Sequence, residues 1–342
     1  SFTCPVCGAP KSAFKREGVI KESEDVRTSV ADKIVEQLEA FGVKHVYGIP
    51  GDSNLPLVDA IRKCEKIDLI LTRHEETAAF MASARGKITG ELGVCLSIAG
   101  PGSTNLSTGL VDAATDKSPV LALTGQVPEI YLGSESFQEI DQIDLFKPFS
   151  SYAQNIGRAN QALNVVTMAV KYAYKDPGVS VLATPTDILV EKCSDKIHEP
   201  DRSVFRKETL AVDKDIKDAA EFINEAERPI LFAGWGARHC GKILIDIAEK
   251  IDSPIATTSR AKGVIDETHP LSLGVLGSIG TRHATKAVKE CDLMVIIGSG
   301  FRQSNLVPQD VKLVQIDWDP TRIGKTFDID KGLVGDAVSI LK

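Results

Sequence analysis

The stretch "LTRHEETAAFMASARG", Leu71 to Gly86, runs from the end of an apolar strand straight into a helix. Arg73, His74, Glu75 and Glu76 stand at the junction, and Ala78, Ala79, Met81 and Ala82 follow as a small apolar face. A carboxylate set against such a face is costly to ionise. Two readings are open for Glu75. It is a helix-start acid favoured by the helix dipole, or it handles a proton for a bound ligand.

Outward from this junction the same handover repeats. "TSVADKIVEQLEAFG" places Val30, Ile34, Leu38 and Phe41 on one helical face, with Thr28 or Ser29 as cap and Gly42 as stop. "KHVYGI" reads as a buried strand ended by "PGDSN". A helix over Leu55 to Cys64, a strand over Ile67 to Thr72, a helix over Glu76 to Ile88 and a strand over Gly93 to Ala99 come next. The "GPGST" loop, a helix to about Ala114 and the strand "PVLALTG" follow. Residues from Gln126 to about Asn160 read as one long irregular piece, before the helix "ALNVVTMAVKYAY" and the strand "GVSVLATP". Such alternation with short loops predicts an α/β fold with a doubly wound parallel sheet. Ligands bind at the carboxyl ends of such strands, where both the Arg73–Glu76 junction and "AGPGSTN" fall.

The charged segment from Glu191, with Pro200, shows no period and predicts a linker over 193–212. A second alternating block runs from 213 to 342. Helices are expected at 215–226, 240–251 and 282–290, and strands at "PILFAG", "PIATTS", "DLMVIIG" and "KLVQID". The chain therefore reads as two consecutive doubly wound domains, 25–192 and 213–342.

The totals fit that reading. Among 342 residues, 43% are hydrophobic and 25% charged, enough apolar material for two buried cores. The net charge of −7 argues against a nucleic-acid binder or a cationic membrane-surface protein. No apolar run approaches the roughly 20 residues of a membrane span, and "SFTCPVCGAPK" carries no secretory signal. Seven scattered cysteines predict free thiols in a reducing cytoplasm.

Residues 1–18 stand apart. Cys4 and Cys7, with Gly8 close behind, resemble one knuckle of a rubredoxin. A tetrathiolate iron or zinc site needs four such ligands, and this half supplies two. Cys64, Cys95, Cys193, Cys240 and Cys291 read as plain buried cysteines, since free cysteine packs as a small hydrophobe. The expectation is a truncated N-terminus.

"YGIPGDSN", "RHEETAAFMASARGKITG", "GVCLSIAGPGSTNLSTGLVDAATDKSPVLALTGQ" and "SESFQEID" occur in one order and spacing. Together they resemble the pyrimidine-binding domain of thiamine-diphosphate enzymes of the pyruvate oxidase and acetolactate synthase group. The resemblance covers about 25–342. It implies that Glu75 hydrogen-bonds the cofactor's aminopyrimidine ring, where a carboxyl of raised pKa shares a proton with a ring nitrogen. Glu76 is then the ordinary helix-start acid, and His74 is structural. The resemblance also implies that Pro50 and Gly51 lie against the pyrimidine, that Gly102 and Asn105 line its site, and that Phe137 and Gln138 stand over the reacting part.

In the second block, "GWGARHCGK" is not the Gly-x-Gly-x-x-Gly fingerprint, because the third glycine falls at Gly241. Alone it leaves dinucleotide binding and a tight turn equally open. With "AKGV", "QIDWDP" and "IGK" it resembles the central FAD-binding domain of pyruvate oxidases. That implies FAD contacts at Gly236, Ala237, Arg238, Thr258, Ser259, Arg260, Gly277, Ser278, Gly300, Arg302, Asp317 and Asp336. Arg238 is the foremost of these, since a guanidinium serves a diphosphate or an adenine face. Central domains of this kind also hold ADP, or nothing.

The resemblance implies oxidative decarboxylation of a 2-oxo acid by thiamine diphosphate and magnesium, with FAD as electron acceptor, in a homodimer or homotetramer. An adjoining rubredoxin-like module suits onward electron transfer. The alternative is acetolactate synthase. A non-redox decarboxylase or transferase with ADP, and a non-catalytic regulatory subunit, are further alternatives. The diphosphate-binding domain that would hold magnesium is expected to be absent from this chain, leaving it inactive alone.

Overall fold

The computed structural model describes residues 28–175, 178–201, 211–301, 307 and 310–342. Cys4, Cys7 and Arg302 lie outside the described residues. The described residues form two compact units, one ending at 201 and the other beginning at 211.

The first unit runs α1 (Val30–Ala40), β1 (His45–Gly48), α2 (Leu55–Lys63), β2 (Asp68–Leu71), α3 (Glu75–Thr89), β3 (Gly93–Ser97), α4 (Pro101–Thr115), β4 (Val120–Gln126), α5 (Gln142–Phe146), β5 (Tyr152–Asn155), α6 (Ala162–Lys175), β6 (Val179–Pro185) and α7 (Thr186–Val190). Its six strands are all parallel, in the order β2-β1-β3-β4-β6-β5. Every residue of β3, β4 and β6 is buried, as a strand covered by helices on both faces requires.

Local chemistry sets the helix ends. Ser29 caps α1 in a reciprocal box with Asp32, and Gly42 turns the chain out at φ 82°. On α3, Ala78, Ala79 and Ala82 bury against Cys95, Leu106 and Leu110. Small residues let this helix lie almost on the sheet: a Cβ at Gly93 would stand 2.0 Å from the Ala82 carbonyl oxygen.

The expected irregular stretch between Gln126 and Asn160 holds α5 and the edge strand β5. The "YAQN" of β5 is half-exposed or exposed, so no apolar alternation marks it. It is fixed by pairing to β6 and by stacking of Tyr152 on Tyr172, ring centroids 5.1 Å apart. The cysteine expectation also needs correcting. Cys95, Cys193 and Cys240 are buried, whereas Cys64 and Cys291 are only partly covered, because each ends its helix at the surface.

The end of the unit returns to its beginning. Ser29 bridges Lys192, Val30 N–H donates to Glu191 O at 2.9 Å, and Cys193 N–H donates to Thr28 O at 2.9 Å. Gln37, fully buried in α1, grips the backbone of His198 in both directions, at 2.8 and 2.7 Å.

The second unit runs α8 (Asp213–Glu225), β7 (Pro229–Ala233), α9 (Gly241–Ile251), β8 (Ile255–Thr257), β9 (Ser272–Val275), α10 (Arg282–Glu290), β10 (Leu293–Ile297), β11 (Lys312–Asp317), β12 (Lys331–Val334) and α11 (Ala337–Leu341). All six strands are parallel, in the order β12-β11-β10-β7-β8-β9. Counted within the unit this is 3-2-1-4-5-6, the doubly wound dinucleotide-binding order, with its switch point between β7 and β10. The sequence reading did not foresee the edge strands β9 and β12, whose residues are mostly half-buried.

Candidate cofactor site

Strand order places the first site. The switch point of the first sheet lies between β1 and β3, so the loops after these strands part there and open a crevice. The loop after β1 carries Pro50 and Gly51. It is clamped from within by Asn54, which accepts from Gly51 N–H at 2.9 Å and donates to Ile49 O at 3.0 Å. Ser53 fastens it to the next loop by accepting from Ala99 N–H at 2.8 Å.

Glu75 enters as the first residue of α3 and is 9% exposed. The helix is capped by a different residue: Nδ1 of His74 accepts from Glu76 N–H at 3.2 Å. The Glu75 carboxylate is therefore free of capping work. Its Oε2 accepts from Nδ2 of Asn105 on α4 at 3.0 Å. Its Oε1 faces Gly102, where a Cβ would approach to 3.3 Å. Ile98 fills the space between the two glycines. A Cβ at Gly51 would stand 2.3 Å from its Cγ2, and one at Gly102 2.6 Å from its Cγ1. Ile98 is thus packed onto both glycine backbones, and one oriented carboxylate, held by Asn105, stands beside this apolar contact. That combination fits a flat heterocycle with a ring nitrogen to bond.

On the other side of this contact, through Ile98, is a cavity of about 560 Å³, lined by Asp52, Ser53, Ile98, Ala99, Val127, Pro128 and Thr186 from the strand-end loops. Phe137 and Gln138 line it too, although they come from the segment between β4 and α5. Phe137 is 89% exposed. Gln138 sits at φ 64°, its backbone against Gly100, where a Cβ would come within 2.7 Å of the Gln138 carbonyl oxygen. Asn54, Ser53 and Ile98 had no role in the sequence reading. In "PGDSN" the reading gave a role to Pro50 and Gly51 but none to Ser53 or Asn54, although an asparagine three residues after a glycine is a loop-clamping pattern.

In the second unit the expected contacts collect on one edge. Residues 236–238 follow β7, 258–260 follow β8, Gly277 and Ser278 follow β9, Gly300 follows β10, Asp317 ends β11, and Asp336 follows β12. In an all-parallel sheet these are six neighbouring carboxyl ends. The turns after β7 and β10 touch backbone to backbone. Gly236 N–H donates to Gly298 O at 2.9 Å, and a Cβ on Gly298 would lie 2.4 Å from Gly236 Cα.

Trp235 collects two guanidinium groups, those of Arg238 and Arg260, each 5.5 Å from its ring centroid. Burial pushes Arg238 below its ordinary pKa, and the charge of Asp336 opposes that. Nε of Arg238 and Oγ1 of Thr257 are buried polar atoms with no hydrogen-bond partner. Orphaned donors on a cationic, aromatic switch-point edge fit a nucleotide bearing a diphosphate. Asp336 is occupied locally, accepting from Ser339 N–H at 3.0 Å as the cap of α11. Thr258 likewise accepts from Ala261 N–H at 3.2 Å. Trp235 and Thr257 were not anticipated. Among the described residues, no group of three or more His, Cys, Asp or Glu is placed to hold a metal ion, and no helix is long and apolar enough to cross a membrane.

Asp317 is 3% exposed, and burial holds its carboxyl above the ordinary value. Its stabilising contribution is fully present below the unfolded value of about 3.9 and is lost as pH rises through the higher folded value. Asp317→Asn keeps an acceptor for Asp319 N–H, now 3.0 Å from Oδ1. The variant is expected to be more heat-stable than the parent at neutral pH without ligand, and the gap should close below about pH 4. Melting curves at pH 3.5 and 7 measure this, and a parent that is the more stable at pH 7 contradicts it.

Comparison with known proteins places these features in company. Residues 28–145 match the family described as "Thiamine pyrophosphate enzyme, N-terminal TPP binding domain", and residues 216–342 match "Thiamine pyrophosphate enzyme, central domain". A Bacillus subtilis (strain 168) protein provisionally named thiamine pyrophosphate-containing protein YdaP is 40% identical over 308 residues, 89% of this chain and 53% of that protein. The "Probable acetolactate synthase large subunit" of Methanocaldococcus jannaschii is 39% identical over 326 residues, covering 91% and 55%. The pyruvate oxidase of Lactiplantibacillus plantarum is 30% identical over 330 residues, covering 94% and 55%. The chain spans about half the length of these relatives.

Proposed function

The chain belongs to the thiamine pyrophosphate enzymes, with their N-terminal and central domains in sequence, and from that premise we propose that it serves a 2-oxo acid oxidase of the pyruvate oxidase type. The observation that carries this reading is the pairing of Glu75 with Asn105 at 3.0 Å beside Gly102 at the switch point of the first sheet. Asn105 fixes one carboxylate oxygen, which leaves Oε1 to hold or pass a proton at a pyrimidine ring nitrogen. Ile98 between Gly51 and Gly102 supplies the apolar floor and limits water around that proton. Gln138, held at the cavity, offers an amide to the 2-oxo acid carboxylate, and Phe137 covers it. Thiamine diphosphate, when bound, would supply the electron sink for cleaving the 2-oxo acid, and FAD held by the second unit would serve as electron acceptor.

Arg238 and Arg260 around Trp235 would receive the anionic part of that nucleotide, and Thr257 and Asp317 its hydroxyl groups. Magnesium, an oligomeric assembly and a cytoplasmic setting accompany this reading. They rest on the family.

A second reading, acetolactate synthase, is favoured by one observation: the archaeal synthase subunit is 39% identical against 30% for the pyruvate oxidase. The purified full-length protein discriminates. On the oxidase reading, visible flavin absorption bleaches on anaerobic addition of pyruvate. Acetolactate formed with the flavin left oxidised establishes the synthase instead. A colourless protein without turnover on any 2-oxo acid refutes both.

A further inference from the structure

The segment between β4 and α5 holds its own backbone in costly conformations. Within six residues, Gly133, Glu135 and Gln138 take φ values of 83°, 57° and 64°. Two of these are not glycine, and left-handed backbone at such residues persists only where surrounding contacts enforce it. Few apolar contacts do so here: Tyr131, Leu132 and Phe137 are exposed.

One side chain meets the segment from within. The Glu139 carboxylate accepts from Gly133 N–H through Oε1 and from Ser136 N–H through Oε2, the latter at 2.9 Å. Its own N–H donates to Ser136 O at 2.9 Å. These bonds close residues 133–139 into a ring, and Gln138, one residue before the carboxylate, is pressed onto Gly100 at the cavity. Neither the family match nor the sequence reading gives Glu139 a role.

We propose that Glu139 is a positioning residue, a latch whose carboxylate ties down two backbone amides and so holds Phe137 and Gln138 at the mouth of the cavity. The backbone amides of Gly133 and Ser136 hold this carboxyl below its ordinary pKa, so at neutral pH the latch is ionised and its two bonds are charge-assisted. The catalytic meaning of the latch rests on the function proposed above; the latch itself does not.

The test has two arms, on full-length protein. In the first, hydrogen–deuterium exchange is followed for peptides spanning 128–141 in the parent, Glu139→Ala and Glu139→Gln. Losing bonds to a charged acceptor should speed exchange of this segment on the order of tenfold to a hundredfold in Glu139→Ala, with α3 and β3 unchanged. Glu139→Gln, which keeps one acceptor, should fall between. Adding Glu135→Gly to Glu139→Ala relieves one left-handed strain and should recover part of the protection. Unchanged exchange in Glu139→Ala overturns the latch, whatever the enzyme does.

In the second arm, steady-state kinetics with a 2-oxo acid should show KM raised on the order of tenfold for Glu139→Ala, with thiamine diphosphate affinity unaltered and partial rescue in Glu139→Gln. Fast exchange with parental kinetics overturns the positioning role. If the parent turns over no 2-oxo acid, the proposed function fails, and the exchange arm still decides the latch.

Discussion

Glu75→Gln is expected to lower turnover of 2-oxo acid by about 10²–10⁴-fold, the usual contribution of a positioned acid–base group, and to leave the fold intact. The substitution is nearly isosteric. A glutamine carbonyl oxygen still accepts from Nδ2 of Asn105, and its amide fits beside Gly102 where Oε1 now stands. What is lost is the ability to hold and surrender a proton. Capping of α3 does not change, because His74 and not Glu75 accepts from Glu76 N–H. A helix-start acid and a proton-handling acid therefore separate cleanly. If Glu75 only favours the helix dipole, the variant loses a few tenths of a kcal/mol to about 1 kcal/mol of stability and retains its rate. Turnover at saturating thiamine diphosphate, read beside a melting curve, decides between them. A parental rate would falsify the proton role.

Gly298→Ala should act at the other switch point, with comparable force on a different observable. Residue 298 sits at φ 62°, a region that costs a residue with a Cβ about 1–2 kcal/mol. The new methyl would also lie 2.4 Å from Gly236 Cα and 2.7 Å from Ala237 N, backbone atoms that move only if the turn after β7 moves. Overpacking of this kind costs about 1–3 kcal/mol more. The turn that must give way carries Trp235 and leads to Arg238, so the edge proposed to receive the nucleotide is displaced together with the stability. The expected result is a lowered melting transition for the second unit and protein purified with much less flavin. Gly300→Ala separates the steric cost from the position: the nearest atom to its added Cβ is 4.0 Å away, on a flexible arginine, so its melting transition should stay at the parent's. Equal flavin content in parent and Gly298→Ala would remove the switch-point edge from the nucleotide reading.

The sequence disclosed what depends on burial and period. The wholly buried strands β3, β4, β6, β7 and β10 are mainly apolar runs, and the helix over 282–290 was legible to the residue. Of the edge strands only β2 was legible, in the expected strand over Ile67 to Thr72. The half-exposed β5, β9 and β12 are strands because a neighbour pairs with them, and pairing leaves little trace in composition. The site divides in the same way. Glu75 stood out because a carboxylate before an alanine-rich helix is anomalous. Ile98 read as one more strand-end aliphatic, and only the approach of Gly51 and Gly102 shows it wedged between two loops. Thr257 and Nε of Arg238 matter because they lack partners, a property no sequence window contains. The knuckle at Cys4 and Cys7, and Arg302, belong to residues outside those described.

The meeting of Ser29 with Lys192, and of Gln37 with His198, makes the first unit a circle in its connectivity. Whatever precedes Thr28 and whatever follows His198 depart from one corner of that unit. A circular permutant of this unit, its old ends joined by a few residues and new ends opened at exposed Gly90, would keep all six strands in their places.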